Sequence, residues 1–180
     1  TLLAIALVFS PASKIVSSGW QNAADDISDF RSGENFLTPV GVRLAMWDVA
    51  VDIWKKYPVL GTGLGDFDLE TRSEEVQSQY KRMPDYSSTH NIYFQSLATT
   101  GGVGFIVMIL ALFVFPFKAF YLARVKNGAL DIASLGGVLT LLAFAIFGLT
   151  ESWILRAPLV SVYLIYIVTL LSMSFRERRE

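Results

Sequence analysis

The chain has 180 residues, 53% of them hydrophobic and 17% charged, with one histidine, no cysteine and a formal net charge of −1. So low a charged fraction, against about a quarter in soluble domains, together with a mean hydropathy of +0.46, points to a membrane protein. The near-neutral balance gives no basis for nucleic-acid binding. The absence of cysteine excludes disulfides, zinc–thiolate sites and thiol redox pairs, and a single histidine among scattered carboxylates argues against a dedicated transition-metal site.

Thr1 to Val16 is an apolar run shorter than the roughly 20 residues of a full crossing, and Pro11 and Lys14 mark its exit from the bilayer. Without an initiator Met or a basic leading region it does not resemble a signal peptide. We expect it to be the end of a membrane helix, and the chain to be the C-terminal part of a larger polytopic protein. Residues 17–38 are polar and turn-rich and predict a loop with a short helix around Ala23 to Phe30.

Thr38-Pro39 is a helix start, with a capping side chain followed by proline at the first helical position. The helix should run to Tyr57 and stop at Pro58. Arg43, Trp47, Ala50 and Trp54 share one face of it at helical spacing. An arginine on that stripe either snorkels over indole or is presented to an anionic ligand at the membrane surface. Gly61-Thr-Gly-Leu-Gly65 follows a helix instead of a strand, so it fits a tight reversal better than a dinucleotide fingerprint. Asp68 to Met83, rich in charge, predicts a solvated helix or mobile arm ended by Pro84.

His90 lies between the cap-like run Ser87-Ser88-Thr89 and a short amphipathic turn with Tyr93, Phe94, Leu97 and Ala98 at helical spacing. Gly101, Gly102 and Gly104 end the turn, and a long apolar run begins at once. A histidine at a helix start tends towards the neutral imidazole, because the helix dipole disfavours added positive charge there. It is either a satisfied interfacial residue or a proton acceptor.

The apolar pattern predicts three spans, at about 103–123, 132–150 and 157–175, with Gly136, Gly137 and Gly148 allowing close helix approach. Short basic segments at 118–126 and 176–179 belong on the cytoplasmic side by the positive-inside rule. The tip at 150–157, carrying Glu151, and the long 17–100 loop then lie outside. The expected architecture is all-α: the end of a transmembrane helix (1–16), a largely helical outer loop domain (17–100) and three transmembrane helices (101–180) with a cytoplasmic C-terminus. Arg43, His90 and Glu151 gather on one membrane face, and ionisable residues at membrane boundaries are functional candidates.

Taken in order, Arg43-x-x-Met-Trp47, then Pro58-x-x-Gly61-x-Gly63-x-Gly65-x-Phe67, then His90-Asn91-x-Tyr93-x-Gln95-x-Leu97 followed by Gly101, resemble the O-antigen ligase and polymerase superfamily of bacterial envelope proteins. The resemblance covers nearly the whole chain from about residue 38 and is less specific to any one member than to the superfamily. It implies a multi-pass protein of the bacterial inner membrane whose active site faces the periplasm. It implies a glycosyltransferase independent of metal, nucleotide or other cofactor, with a glycan on undecaprenyl diphosphate as donor. The acceptor is lipid A-core for a ligase, another lipid-linked repeat for a polymerase, and a protein hydroxyl for an O-oligosaccharyltransferase; the ligase is the first expectation. The family's loop arginine carries over to Arg43 and its loop histidine to His90. Glu151 stands where family members often have an acid. A second family arginine would lie upstream of Thr1, so the chain by itself is expected to be catalytically incomplete.

The residue types suit that chemistry. Arginine offers a permanently charged fork for diphosphate oxygens, and histidine can take the acceptor's proton. The expected catalytic set is therefore His90, Arg43 and Glu151, the last orienting one of the other two. Arg43, Trp47, Asn91 and Tyr93 are expected to contact substrate, with packing as the alternative role for the aromatic residues. The rival from another class is a non-catalytic transporter or scaffold with a binding loop. Transporters carry ionisable or broken-helix sites near mid-membrane, whereas the charges here sit near the ends of the predicted spans.

Overall fold

The computed structural model describes residues 11–80, 86–124 and 132–176, and every regular element in them is helical. The predicted apolar run at 1–16 falls largely outside these residues, as do Pro84 and parts of both basic segments.

Helix α1 (Pro11–Ser32) replaces the loop expected there. Ala23, Asp26, Ile27 and Phe30 form its half-buried stripe, a helical period hidden among polar neighbours. Two tertiary contacts stabilise it: Phe30 packs on the core of the loop domain, and the Asp26 carboxylate accepts the Val40 N–H at 3.2 Å. That N–H is one of the donors a helix start leaves without an internal partner.

Helix α2 (Pro39–Lys56) begins as predicted, with the Thr38 hydroxyl accepting the Gly41 N–H at 3.0 Å. It ends two residues before Pro58, which cannot continue a helix. Its buried stripe, Ala45, Met46, Val49, Ala50 and Ile53, packs with Phe67, Tyr80 and Ala98 into the first of two cores. The charged stretch after it is not a solvated arm over its described part. It forms two short helices, α3 (Phe67–Thr71) and α4 (Glu74–Gln79), held down by Phe67 and Tyr80. Burying a side chain such as Phe67 stabilises by about 1.5–3 kcal/mol, enough to fold a polar segment onto its neighbour. The Tyr80 hydroxyl donates to Asp48 at 3.1 Å. Burial, then the adjacent Asp48 charge and its hydrogen bond, push that phenol well above its ordinary range.

Helix α5 (Ile92–Ile109) is interrupted at Gly101, whose φ of 63° is left-handed. A break in a helix frees carbonyls before it and N–H groups after it. Here the Pro58–Gly63 segment satisfies four of them. Gly102 N–H donates to the Pro58 carbonyl at 2.8 Å and Val103 N–H to Val59 at 3.2 Å, while Thr62 N–H donates to Ala98 at 3.2 Å and Gly63 N–H to Thr99 at 2.9 Å. The two backbones approach so closely that a Cβ on Gly61 would strike the Thr99–Thr100 peptide, and one on Gly101 would strike the Val59 carbonyl. The glycine-rich turn is therefore a clasp on a broken helix.

After Gly101 the chain runs on through a wide π turn (Leu110–Val114) into α6 (Phe115–Arg124). The Leu112 carbonyl accepts the Tyr163 hydroxyl from the last helix. Helix α7 (Ile132–Phe147), a one-turn 3-10 helix (Trp153–Leu155) and α8 (Ala157–Arg176) complete the fold. Two glycines allow close packing, as expected: Gly137 lies under the Phe120 ring and Gly148 against Ile92. The second core joins Ile92, Met108, Phe120, Leu141, Trp153, Tyr163 and Ile167. Among the described residues, two helical stretches are long and apolar enough to cross a membrane, Ile92–Ala123 and Ala157–Phe175; Ile132–Phe147 is apolar but shorter.

Candidate functional site

The segment from Ser88 to Ile92 is sewn to the tip that follows α7. Asn91, not the Ser87–Thr89 run, caps α5: its side-chain oxygen accepts the N–H groups of Tyr93 at 2.9 Å and Phe94 at 3.2 Å. Its amide group donates to the Leu149 carbonyl at 3.1 Å. Its backbone N–H reaches Ser152 Oγ at 3.0 Å. Ile92 N–H donates to the Gly148 carbonyl at 2.9 Å. Thr89 is held from the other side, its N–H donating to the Gln95 side chain at 2.9 Å and its carbonyl accepting the Trp47 indole N–H at 3.0 Å.

Between these buried anchors sits His90, with φ at 50°. This is the left-handed region, uncommon for a residue with a Cβ although histidine is among those enriched there. Such a conformation costs of order 1–3 kcal/mol and persists only where the surroundings impose it. It points the ring towards the tip, where Nδ1 lies 3.7 Å from Oε2 of Glu151. The other carboxylate oxygen, Oε1, accepts the Arg156 Nε–H at 3.0 Å. Burial pushes the Glu151 carboxyl up, but the Arg156 hydrogen bond and charge outweigh it, helped by the charge of His90 and a backbone hydrogen bond at Ser152. The group is held below the usual carboxylate range, so it is ionised at neutral pH.

Arg43 reaches the same place from α2. It lines an open cleft of about 290 Å³ together with Leu37, Thr38, Pro39, Val42, Met46, Tyr86 and His90. Arg43 is exposed, and among the described residues no carboxylate lies within ion-pair distance of it. One cleft thus holds an available guanidinium and an imidazole, and the imidazole is backed by a carboxylate.

The other predicted contact residues are engaged within the protein. Asn91 is buried and uses its side chain on the cap and on Leu149. The Tyr93 hydroxyl donates to the Ala145 carbonyl at 2.8 Å. Trp47 stacks on Phe94 with ring centroids 5.3 Å apart while its N–H holds Thr89. All three position the His90 turn. Arg156 and Ser152 were not singled out from sequence; the one available signal was the closeness of Arg156 to Glu151 at the same tip. Among the described residues no group of three His, Asp or Glu side chains is placed to hold a metal ion.

The profile of the O-antigen ligase family matches residues 1–109. The chain belongs to the O-antigen ligase family. That family lies within the membrane glycosyltransferases of the O-antigen ligase and polymerase type. The matched region includes both Arg43 and His90 and ends before Glu151. A relative from Haemophilus influenzae strain Rd, described only as an uncharacterized protein, is 35% identical over 118 residues, covering 61% of this chain. The chain spans 29% of that protein's length.

Proposed function

We propose that this member of the O-antigen ligase family carries the outer-loop half of an active site that moves a glycan from undecaprenyl diphosphate to an acceptor hydroxyl. We assign the periplasmic face of the bacterial inner membrane as the place of reaction, and lipid A-core as the acceptor. The single observation that carries the reading is the cleft shared by Arg43 and His90.

The chemistry is a displacement at the anomeric carbon. The acceptor oxygen forms the new bond to that carbon as the bond to the diphosphate oxygen breaks, and undecaprenyl diphosphate leaves with the electron pair. The acceptor's proton goes to His90. Because Nδ1 faces Glu151, Nε2 is the ring nitrogen turned to the acceptor, and the imidazolium that forms finds its counter-charge in the Glu151 carboxylate. Arg43 binds the diphosphate, whose charge grows as the sugar departs. Direct attack inverts the anomeric centre. Diphosphate is a good leaving group, so the scheme uses no general acid.

The test is complementation of a strain lacking the gene, read by its surface glycans. Wild-type protein restores long chains on lipid A-core; Arg43→Ala and His90→Ala, inserted at normal levels, do not. Full restoration by both variants overturns the proposal. A deletion strain that retains a single repeat on lipid A-core identifies a polymerase, and one that loses glycan only from proteins identifies a protein-glycosylating enzyme.

A further inference from the structure

The glycine-rich clasp has apolar tips. Val59, Leu60 and Leu64 are 60%, 73% and 81% exposed, in a segment whose backbone is nevertheless fixed by the four hydrogen bonds to the break in α5. Exposed leucines gathered on an ordered turn mark an interaction surface more often than a solvated loop.

The position of the clasp says what it meets. From Gly102, the first residue after the break, to Ala123 the apolar helix continues for about 22 residues, or roughly 33 Å at 1.5 Å per residue. That is about the thickness of a bilayer's hydrocarbon core, roughly 30 Å. Gly102 and Val103, the residues bonded to Pro58 and Val59, thus stand where hydrocarbon gives way to headgroups. Trp54 and Tyr57, both partly exposed, precede the clasp, and these two residue types collect at that depth. Lys55 is paired with Asp52 and Lys56 with Glu75, so the strip is drawn to the bilayer by apolar surface and not by net positive charge.

We infer that the 57–64 turn is a membrane wedge: Val59, Leu60 and Leu64 insert at the acyl–headgroup boundary of the leaflet that faces the active site. The occupant of this surface is lipid. The inference rests on the membrane reading given under Proposed function. It sets the height of α2, and so of Arg43, against the bilayer through a turn locked to both α2 and α5.

The chain's lack of cysteine permits a direct test. Single cysteines replace Leu60, Leu64, Ser78, Val107 or Val168 in the intact protein, are spin-labelled, and are studied in phosphatidylethanolamine–phosphatidylglycerol nanodiscs. Relaxation by oxygen reports lipid, and relaxation by a water-soluble nickel chelate reports water. Labels at Leu60 and Leu64 are expected to favour oxygen, as Val107 and Val168 in the spans do, while Ser78 on α4 favours nickel. Leu60 and Leu64 labels that follow Ser78, or that are shielded from both agents by protein, overturn the wedge while leaving the membrane reading intact. Nickel access at Val107 and Val168 overturns the membrane reading and the wedge with it.

Discussion

His90 Nδ1 stands 3.7 Å from Glu151 Oε2, although the two residues lie on opposite sides of two helical hairpin arms. Asn91, Ile92 and Ser152 hold that approach through backbone and side-chain hydrogen bonds. A contact of this length between partly exposed groups is worth about 1 kcal/mol, or roughly fivefold in rate. General-base removal costs about 10²–10⁴-fold. Glu151→Gln should therefore lower transfer about fivefold and His90→Ala by at least a hundredfold, measured as turnover of a lipid-linked glycan by the full-length protein. Equal losses from the two would remove the hierarchy argued here.

The left-handed backbone at His90 separates stability from activity. His90→Gly relieves the strain and should leave the thermal midpoint unchanged or raise it, while transfer is lost. His90→Val puts a β-branched residue at a φ of 50° and should destabilise by about 1–3 kcal/mol. Unfolding in detergent, followed by tryptophan emission, checks both.

The clasp supplies a glycine series. Gly61→Ala and Gly101→Ala each add strain at positive φ and drive a methyl into backbone, where nothing flexible can yield. Each should cost several kcal/mol, near the upper end of single-substitution effects. Gly65→Ala has the same backbone problem at a φ of 97° but open space around it, so its cost should be about 1–2 kcal/mol. Gly19→Ala, inside α1 with nothing near its Cβ, should stabilise by up to about 1 kcal/mol. Thermal midpoints of the four variants give the order directly.

Glu151 also predicts an acid limb. A carboxyl held below its ordinary value of 4.5 contributes stability that is complete above that value and is lost as pH falls through the lowered folded value. Glu151→Gln should therefore reduce the wild type's stability advantage at neutral pH and leave little difference well below pH 4.5. Arg156→Gln removes the main lowering influence while burial remains, so the carboxyl should titrate at higher pH in that variant. Thermal midpoints against pH, or carboxyl NMR, measure both effects.

Local signals made α2 legible in the sequence: Thr38-Pro39 opens it and Pro58 closes it. Helix α1 was not legible, because its apolar stripe is sparse and its stability comes from Phe30 and Asp26 contacting α2. The same reason hid α3 and α4, where a few buried residues, Phe67 and Tyr80 among them, outweigh a charged surface. The cap of α5 was placed too early: Ser88 and Thr89 do bond nearby backbone N–H groups, but they build the turn that carries His90, and Asn91 does the capping. Of the candidate site, Arg43 and His90 could be paired from their motif context. Their shared cleft, the positive φ and the Arg156–Glu151 contact depend on segments far apart in the chain, and periodicity carries no information about those.

The π turn at Leu110–Val114 acts as a one-residue phase slip in an otherwise regular rod. Removing a single residue there would restore ordinary winding and rotate everything after it by about 100°. Phe120 would swing out of the notch at Gly137, and its neighbours would meet α7 with the wrong side of the helix. Single-residue deletions should consequently be tolerated far less well at this point than substitutions, even though no polar or catalytic group is involved.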